Sequence, residues 1–180
     1  MSKQFQYYDT VTHGYTGILT LNSGVLVTNG SGVPAFSVNI PSTTTNDNAT
    51  TGSMGEYIEG VQNGLGISDN TNTDVTSVSL TAGDWDVSGN VWFEAAGSTI
   101  ITFVSTWVNT VSVTLPILNP YPGGFQNHYT HPIAGAAAVV ETGLRRFSLA
   151  STTTIYLEAF TNFTTSTCTV HGRLRARRVR

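Results

Sequence analysis

The chain has 180 residues and a net charge of −3, and it is 39% hydrophobic but only 11% charged. So low a charge content excludes a charge-rich disordered protein and a coiled coil, and the lack of a run of about 18 apolar residues argues against a membrane-spanning helix. The single cysteine, Cys168, excludes an internal disulfide framework.

The first part of the chain contains only short apolar pairs between Asn, Ser and Gly turns. Such pairs are too few to form a core, so the segment is expected to become ordered against another copy or another protein. A polar linker, PSTTTNDNATTGS, follows at residues 41–53. We therefore expect an extended N-terminal arm and linker over residues 1–52, which attaches the chain to a partner, and a globular domain over residues 53–180. The apolar arm residues expected to make the attachment contacts are Ile18, Leu19, Val25, Val27 and Phe36.

The rest of the chain alternates apolar and polar residues between turn residues, which is typical of β-strands. Residues 75–94 predict two strands around the turn TAGD, and further strands are expected at residues 100–113, 152–163 and 168–177. In the first of these further strands, Phe103 is expected in the core, on the same face as Ile101. Strands at this spacing predict an all-β fold, a jelly-roll-like antiparallel β-sandwich.

Basic residues are concentrated at the end of the chain. Residues 1–144 carry one base and ten acids, whereas residues 145–180 carry seven arginines and one acid. A basic terminus is one signature of nucleic-acid binding, but these arginines alternate with apolar residues, which favours one face of a strand. Arginine pairs bidentately with carboxylates, and a buried row of like charges needs such partners, so we expect a subunit interface here. The residues expected at this interface are Arg173, Arg175, Arg177, Glu158, Asp86 and Glu94.

The segment PILNPYPGGFQNHYTHP, at residues 116–132, offers a second possible site. His128 and His131 could bind a divalent metal if three copies met around an axis, but two ligands without a nearby carboxylate are a weak signal, and local hydrogen bonds at a loop tip are the favoured interpretation. Exposed rings can stack on sugars or pack against another subunit, and subunit packing explains the same rings. The loop residues that could contact a glycan or a protein partner are Tyr121, Phe125, His128, Tyr129 and His131.

No motif predicts catalysis or a cofactor. Asp84 and Asp86 could be read as a carboxylate pair, but Asp84 belongs to a turn, where its side chain caps the backbone, and Asp86 belongs to the strand that follows. The nucleophile motif GxSxG is absent from the sequence. We therefore expect a protein that is not an enzyme.

The segments SLTAGDWDVSGNVWF, SVTLP, RRFSLASTTTIYLEA and RLRARRVR together resemble a family of small bacteriophage and prophage virion surface proteins. The resemblance covers about residues 55–180, and GDWDVSG is its most specific segment. It implies a β-sandwich head, commonly assembled as a homotrimer, in a capsid-decorating, head-fibre or tail-fibre protein located in the virion.

The resemblance and the arm together favour a capsid decoration or cement protein. Such a protein would bind the major capsid protein or another virion protein through its arm and trimerise through its β domain. The alternative is a tail or head fibre protein that binds host surface glycans. Neither function requires nucleic acid or a membrane as a partner.

Overall fold

A computed structural model describes residues 47–114 and 133–180 of the chain in full, and elsewhere it describes the backbone of five further strands. The chain divides into two compact units, Met1–Asn46 and Asp47–Arg180. Their boundary falls within the polar linker at residues 41–53, which consists mainly of Ser, Thr, Asn and Asp.

The first unit contains two antiparallel hairpins of two strands each. Strands β1 (Gln4–Asp9) and β2 (Gly14–Thr20) form one hairpin, and β3 (Val25–Thr28) and β4 (Pro34–Ser37) form the other. The five apolar residues predicted to make the attachment contacts lie in β2, β3 and β4, where the structure describes only the backbone.

The second unit consists of antiparallel strands, and no helix among the described residues is long and apolar enough to cross a membrane. Its strands are β5 (Tyr57–Ile67), β6 (Thr73–Leu80), β7 (Gly83–Ala95), β8 (Ile100–Asn109), β9 (Gly124–Asn127), β10 (Ala138–Glu141), β11 (Arg145–Leu149), β12 (Thr153–Thr164) and β13 (Cys168–Arg178).

These strands form two sheets with jelly-roll topology. One sheet has the order β5-β13-β7, with β10 and β11 on different stretches of the outer edge of β7, and the other has the order β6-β12-β8-β9. In chain order the pairs are nested, because the first strand pairs with the last (β5–β13), the second with the last but one (β6–β12), and so on to β8–β9 in the middle. This nesting defines a jelly roll, so the predicted fold class is confirmed.

The core lies between the two sheets and follows from the alternation of side chains along each strand. Trp85, Val91 and Phe93 of β7 point inward and are fully buried, and they pack with Leu157 of β12 and Leu174 of β13. Burying a side chain of this size contributes about 1.5–3 kcal/mol each, so this cluster is the main source of stability.

Two inward-facing glycines allow the sheets to approach closely. A Cβ atom at Gly172 would lie 2.4 Å from Cγ1 of Val75, and one at Gly89 would lie 2.7 Å from Cδ1 of Leu157. Both distances are shorter than real carbon atoms tolerate, so a larger residue at either position of β13 or β7 would force neighbouring atoms to shift.

The position of Phe103 differs from the prediction. Ile101 is buried in the core, but Phe103 lies on the outer face of β8, where its ring meets Phe160 edge-on with centroids 5.7 Å apart. The cause is a register shift between Asn162 and Phe163 of β12, opposite this stretch, because one extra residue in a ladder reverses the faces of those that follow.

Candidate interaction face

β13 sorts its side chains onto two faces by alternation. Val170, Leu174 and Ala176 are buried in the core, whereas Arg173, Arg175 and the other residues between them point outward. The predicted alternation of this strand is confirmed, and it produces a row of three arginines on the outside of the sheet.

The row of arginines lies in the middle of a larger surface. We call it the arginine face and define it as the outward-facing side chains of residues 171–177 of β13, 57–61 of β5, 86–94 of β7 and 139–141 of β10. These strands are neighbours in one sheet, so the sequence brings side chains from four separate segments onto one surface.

Two of the three arginines have side-chain partners, one on each neighbouring strand. Arg173 Nε lies 3.1 Å from Glu59 Oε1 on β5, and Arg175 Nη2 donates a hydrogen bond of 3.1 Å to Asn90 Oδ1 on β7. Arg177 lies directly across the ladder from Asp86. Exposed pairs of this kind contribute only about 0–1 kcal/mol to folding, so their charges stay available to a partner.

Next to this row, Trp92 forms an ordered aromatic group with His171. Their ring centroids are 4.8 Å apart with 25° between the planes. His171 Nδ1 accepts a hydrogen bond of 3.2 Å from the backbone N–H of Gly64, and Nε2 lies 3.0 Å from Glu94 Oε2. In neutral His171 the proton therefore belongs on Nε2, which donates to the carboxylate. Glu94, predicted to pair with an arginine, is bound within the chain to this histidine instead.

Large apolar side chains on the arginine face remain exposed. Trp92 is 40% exposed and Val139, directly opposite it on β10, is 65% exposed. At the other side, on β5, Tyr57 and Val61 are 41% and 48% exposed. Apolar groups among paired charges are typical of surfaces that bind other molecules.

Glu158 does not belong to the arginine face, which corrects its place in the predicted interface. It lies in β12 of the other sheet, is fully buried, and accepts a hydrogen bond of 2.9 Å from the backbone N–H of Thr114. Burial, with a further contribution from the charge of Asp74, raises the pKa of Glu158 to about 7. The sequence identified its outward direction but not the residues that cover it.

A buried ion pair, Arg178 with Glu56, was missed by the sequence analysis. Arg178 Nε donates a hydrogen bond of 2.9 Å to Glu56 Oε2, Nη1 donates to Ala82 O at 2.8 Å, and the guanidinium lies 4.3 Å from the centre of the Trp85 ring. Burial alone raises the pKa of Glu56, but hydrogen bonds from Gly52 and Arg178 outweigh it and lower that pKa. The signal was present, because Arg178 continues the inward series of β13.

Asp84 has a structural role at the same end of the sandwich. Its Oδ2 atom lies 2.9 Å from Arg146 Nη2 and 2.6 Å from Arg180 Nη2. Hydrogen bonds from Ser148 and Arg146 are the main cause of the lowered pKa of this carboxyl group. Asp84 therefore anchors two arginines, rather than capping the backbone of the turn as the sequence predicts.

The second predicted site falls largely outside the described residues. Tyr121, His128, Tyr129 and His131 lie there, and Phe125 is in β9, where the backbone alone is described and pairs with Thr106. Across residues 47–114 and 133–180, no group of three or more His, Cys, Asp or Glu side chains could hold a metal ion.

No family model and no curated protein sequence matches the chain. Among solved structures, it is similar to a structure of the Gx strain of infectious bursal disease virus, with 13% identity and a TM-score of 0.45 over 92% of this chain. It is also similar to a crystal structure of the infectious bursal disease virus VP2 subviral particle, with 12% identity and a TM-score of 0.43 over 89% of this chain. The chain spans 39% and 38% of the length of these two proteins. Similarity at this level says nothing about function, which has to be inferred from the residues of the chain itself.

Proposed function

We propose that this chain is a structural virion protein whose jelly-roll unit forms a homotrimer through the arginine face. The observation that carries the proposal is the mixture, on one exposed sheet face, of three arginines, four carboxylates and four exposed apolar side chains. Arginine and aromatic residues are favoured in protein interfaces. Because positive and negative side chains alternate across the face, the arginines of one copy can lie opposite the carboxylates of another.

The Met1–Asn46 unit is proposed to attach this trimer to the major capsid protein or another virion protein, so that the chain decorates the capsid. The hairpins that the structure describes in this unit have two strands each, and such hairpins are marginally stable alone, so they gain from a partner. Jelly rolls occur in virus capsids and also in lectins, so the fold permits this role without choosing it. Many copies on one particle would multiply weak contacts into firm attachment.

Sedimentation equilibrium of the full chain tests the trimer. We expect a trimer for the wild type, a dissociation midpoint at least about tenfold higher in concentration for Trp92→Ala, and a smaller shift in the same direction for Arg175→Ala. Arg180→Ala is the matched control, because Arg180 is exposed and paired but lies outside the arginine face. A monomeric wild type, or a trimer that neither variant weakens, would refute the proposed interface.

The aromatic group also supports a second function, a tail or head fibre protein that binds host surface glycans. An exposed Trp92 ring held in place by His171 can stack on the apolar face of a sugar. A glycan array probed with the wild type and with Trp92→Ala separates the two functions. Glycan binding that is lost in the variant favours the fibre, and antibody labelling of whole virions on the capsid rather than the tail favours the decoration protein.

A further inference from the structure

The side chain of Asn48 takes the place of a neighbouring strand at the start of β5. Asn48 Nδ2 donates a hydrogen bond of 2.7 Å to the carbonyl oxygen of Tyr57, and the N–H of Tyr57 donates one of 2.8 Å to Asn48 Oδ1. A carboxamide has the same donor and acceptor as a peptide group, so this contact imitates the paired bonds of an antiparallel ladder. The backbone of Tyr57 therefore faces the open edge of the sheet.

The same edge offers two further residues without such a partner. The backbone N–H of Arg178 donates a hydrogen bond of 2.9 Å to the carbonyl oxygen of Glu56, so the backbone groups of Glu56 point towards β13. Because these groups alternate along a strand, those of Tyr57 and of every second residue after it point away from β13, to the edge of the sheet. β5 is the last strand on its side of the sheet. Among the described residues, no strand therefore pairs with the outward N–H and C=O groups of Glu59 and Val61.

Nothing in this stretch protects the edge against pairing. Strand β5 contains neither proline nor lysine, and its one carboxylate, Glu59, is already paired with Arg173. The ladder with β13 keeps its register up to Gln62 and is irregular after it, and Gly64 has a φ of +72°, so the regular part of the edge ends there. An edge with regular geometry and no protecting residue is a template for another strand.

We propose that Glu59 and Val61 pair with Val61 and Glu59 of a second copy, in an antiparallel contact around a two-fold axis at Gly60. Asn48 occupies the edge at Tyr57, and the irregular stretch follows Gln62. Between them, Glu59 and Val61 are the two residues whose backbone groups point to the edge, and the symmetric pairing uses these two. Each copy contributes the N–H and C=O of both residues. Charges also match, because each Glu59 arrives with its own Arg173 and the four groups sum to zero.

This contact goes beyond the proposed trimer. A two-fold axis cannot relate copies around a three-fold axis, so the β5 edge would join copies that belong to different trimers. The β5-β13-β7 sheet would then continue from one copy into the next, while the arginine face serves a different contact.

Cross-linking of the full chain tests the register. In the proposed pairing, residue 59 of one copy faces residue 61 of the other at a Cα separation of about 5.5 Å, which a disulfide spans. A mixture of Glu59→Cys chains and Val61→Cys chains should form disulfide-linked dimers at least about tenfold faster than either variant alone. Cys168 is buried and present in every sample, so the wild type gives the background.

Three results would overturn the inference. They are equal cross-linking of the single variants and the mixture, no cross-linking in an assembled chain, and a chain that stays monomeric without cross-links. Hydrogen exchange of the unmodified chain gives an independent measure, since the Val61 amide should exchange at least about tenfold more slowly at high than at low concentration. The outcomes separate the two proposals. A chain that assembles without this cross-link refutes the β5 contact alone and leaves the proposed trimer standing, whereas a monomeric chain refutes both.

Discussion

Glu158 is the residue whose replacement should change the pH dependence of stability most. Its carboxylate binds the N–H of Thr114, next to a turn that Asp74 holds by accepting a hydrogen bond of 2.9 Å from the N–H of Val113. Val113 has a φ of +52°, which is unfavourable for a β-branched residue, so the turn depends on these contacts. We therefore expect Glu158→Gln to keep the hydrogen bond to Thr114 and remove the charge.

The magnitude follows from the raised pKa. Glu158 has a pKa of about 7 in the folded chain against an ordinary value of 4.5, and this interval corresponds to about 3 kcal/mol. The folded state binds this proton more tightly than the unfolded state does. The contribution to the free energy of unfolding is therefore fully present below pH 4.5 and is lost as the pH rises through about 7. Lowered pKa values at Glu56 and Asp84 act in the opposite direction, but at more acidic pH.

Urea unfolding at several pH values between 4.5 and 7.5 measures this effect. The wild type should lose about 3 kcal/mol of unfolding free energy across the range relative to Glu158→Gln, and the two should have similar stability at the acidic end. Glu141→Gln serves as the matched control, because it makes the same chemical change at an exposed glutamate rather than a buried one. A Glu158→Gln variant with the same pH dependence as the wild type would refute the reasoning.

Two further predictions concern the core. Arg178→Ala should lower the free energy of unfolding by about 3–5 kcal/mol, because it leaves Glu56 buried and unpaired, and the double variant with Glu56→Gln should lose less than the sum of the single losses in urea unfolding. Gly172→Ala should lower the free energy of unfolding by about 1–3 kcal/mol, because the added Cβ would overlap Val75. A Cβ at Gly66 would meet nothing within 4 Å, so Gly66→Ala is the control and should change the free energy of unfolding by less than about 0.5 kcal/mol. Equal losses of the two variants in thermal unfolding would contradict the packing argument.

The parts of the fold that the sequence predicts are those with strict alternation. In β7 and β13, apolar residues repeat at every second position for ten or so residues, so a strand with one buried face is the single arrangement that satisfies them. The turn between Leu80 and Gly83 follows from its Gly and Asp. These local patterns are enough to place Arg173 and Arg175 on an outer face.

The misplaced residues depend on partners that are distant in the chain. Phe103 changes face because of an irregular ladder with β12, and no local pattern shows which strand will carry the extra residue. Arg178 and Glu56 are separated by 122 positions, so their pairing appears only when β5 and β13 lie side by side. Glu158 was assigned to the arginines on charge alone, since alternation gives the direction of a side chain but not the sheet to which its strand belongs.

The fold and the proposed interface depend on the same register of β13. This strand lies between β5 and β7, and its inward residues, such as Leu174, alternate with the arginines. A slip of one residue would bury Arg173 and Arg175 and expose Leu174 and Ala176, which would cost far more than the surface pairs contribute. Burial of the core side chains therefore fixes the register of β13. The weak surface pairs only orient the arginine side chains, whose positions on the outer face are already set by the core. This division of roles explains how a chain with so few charges can present an ordered, charged surface.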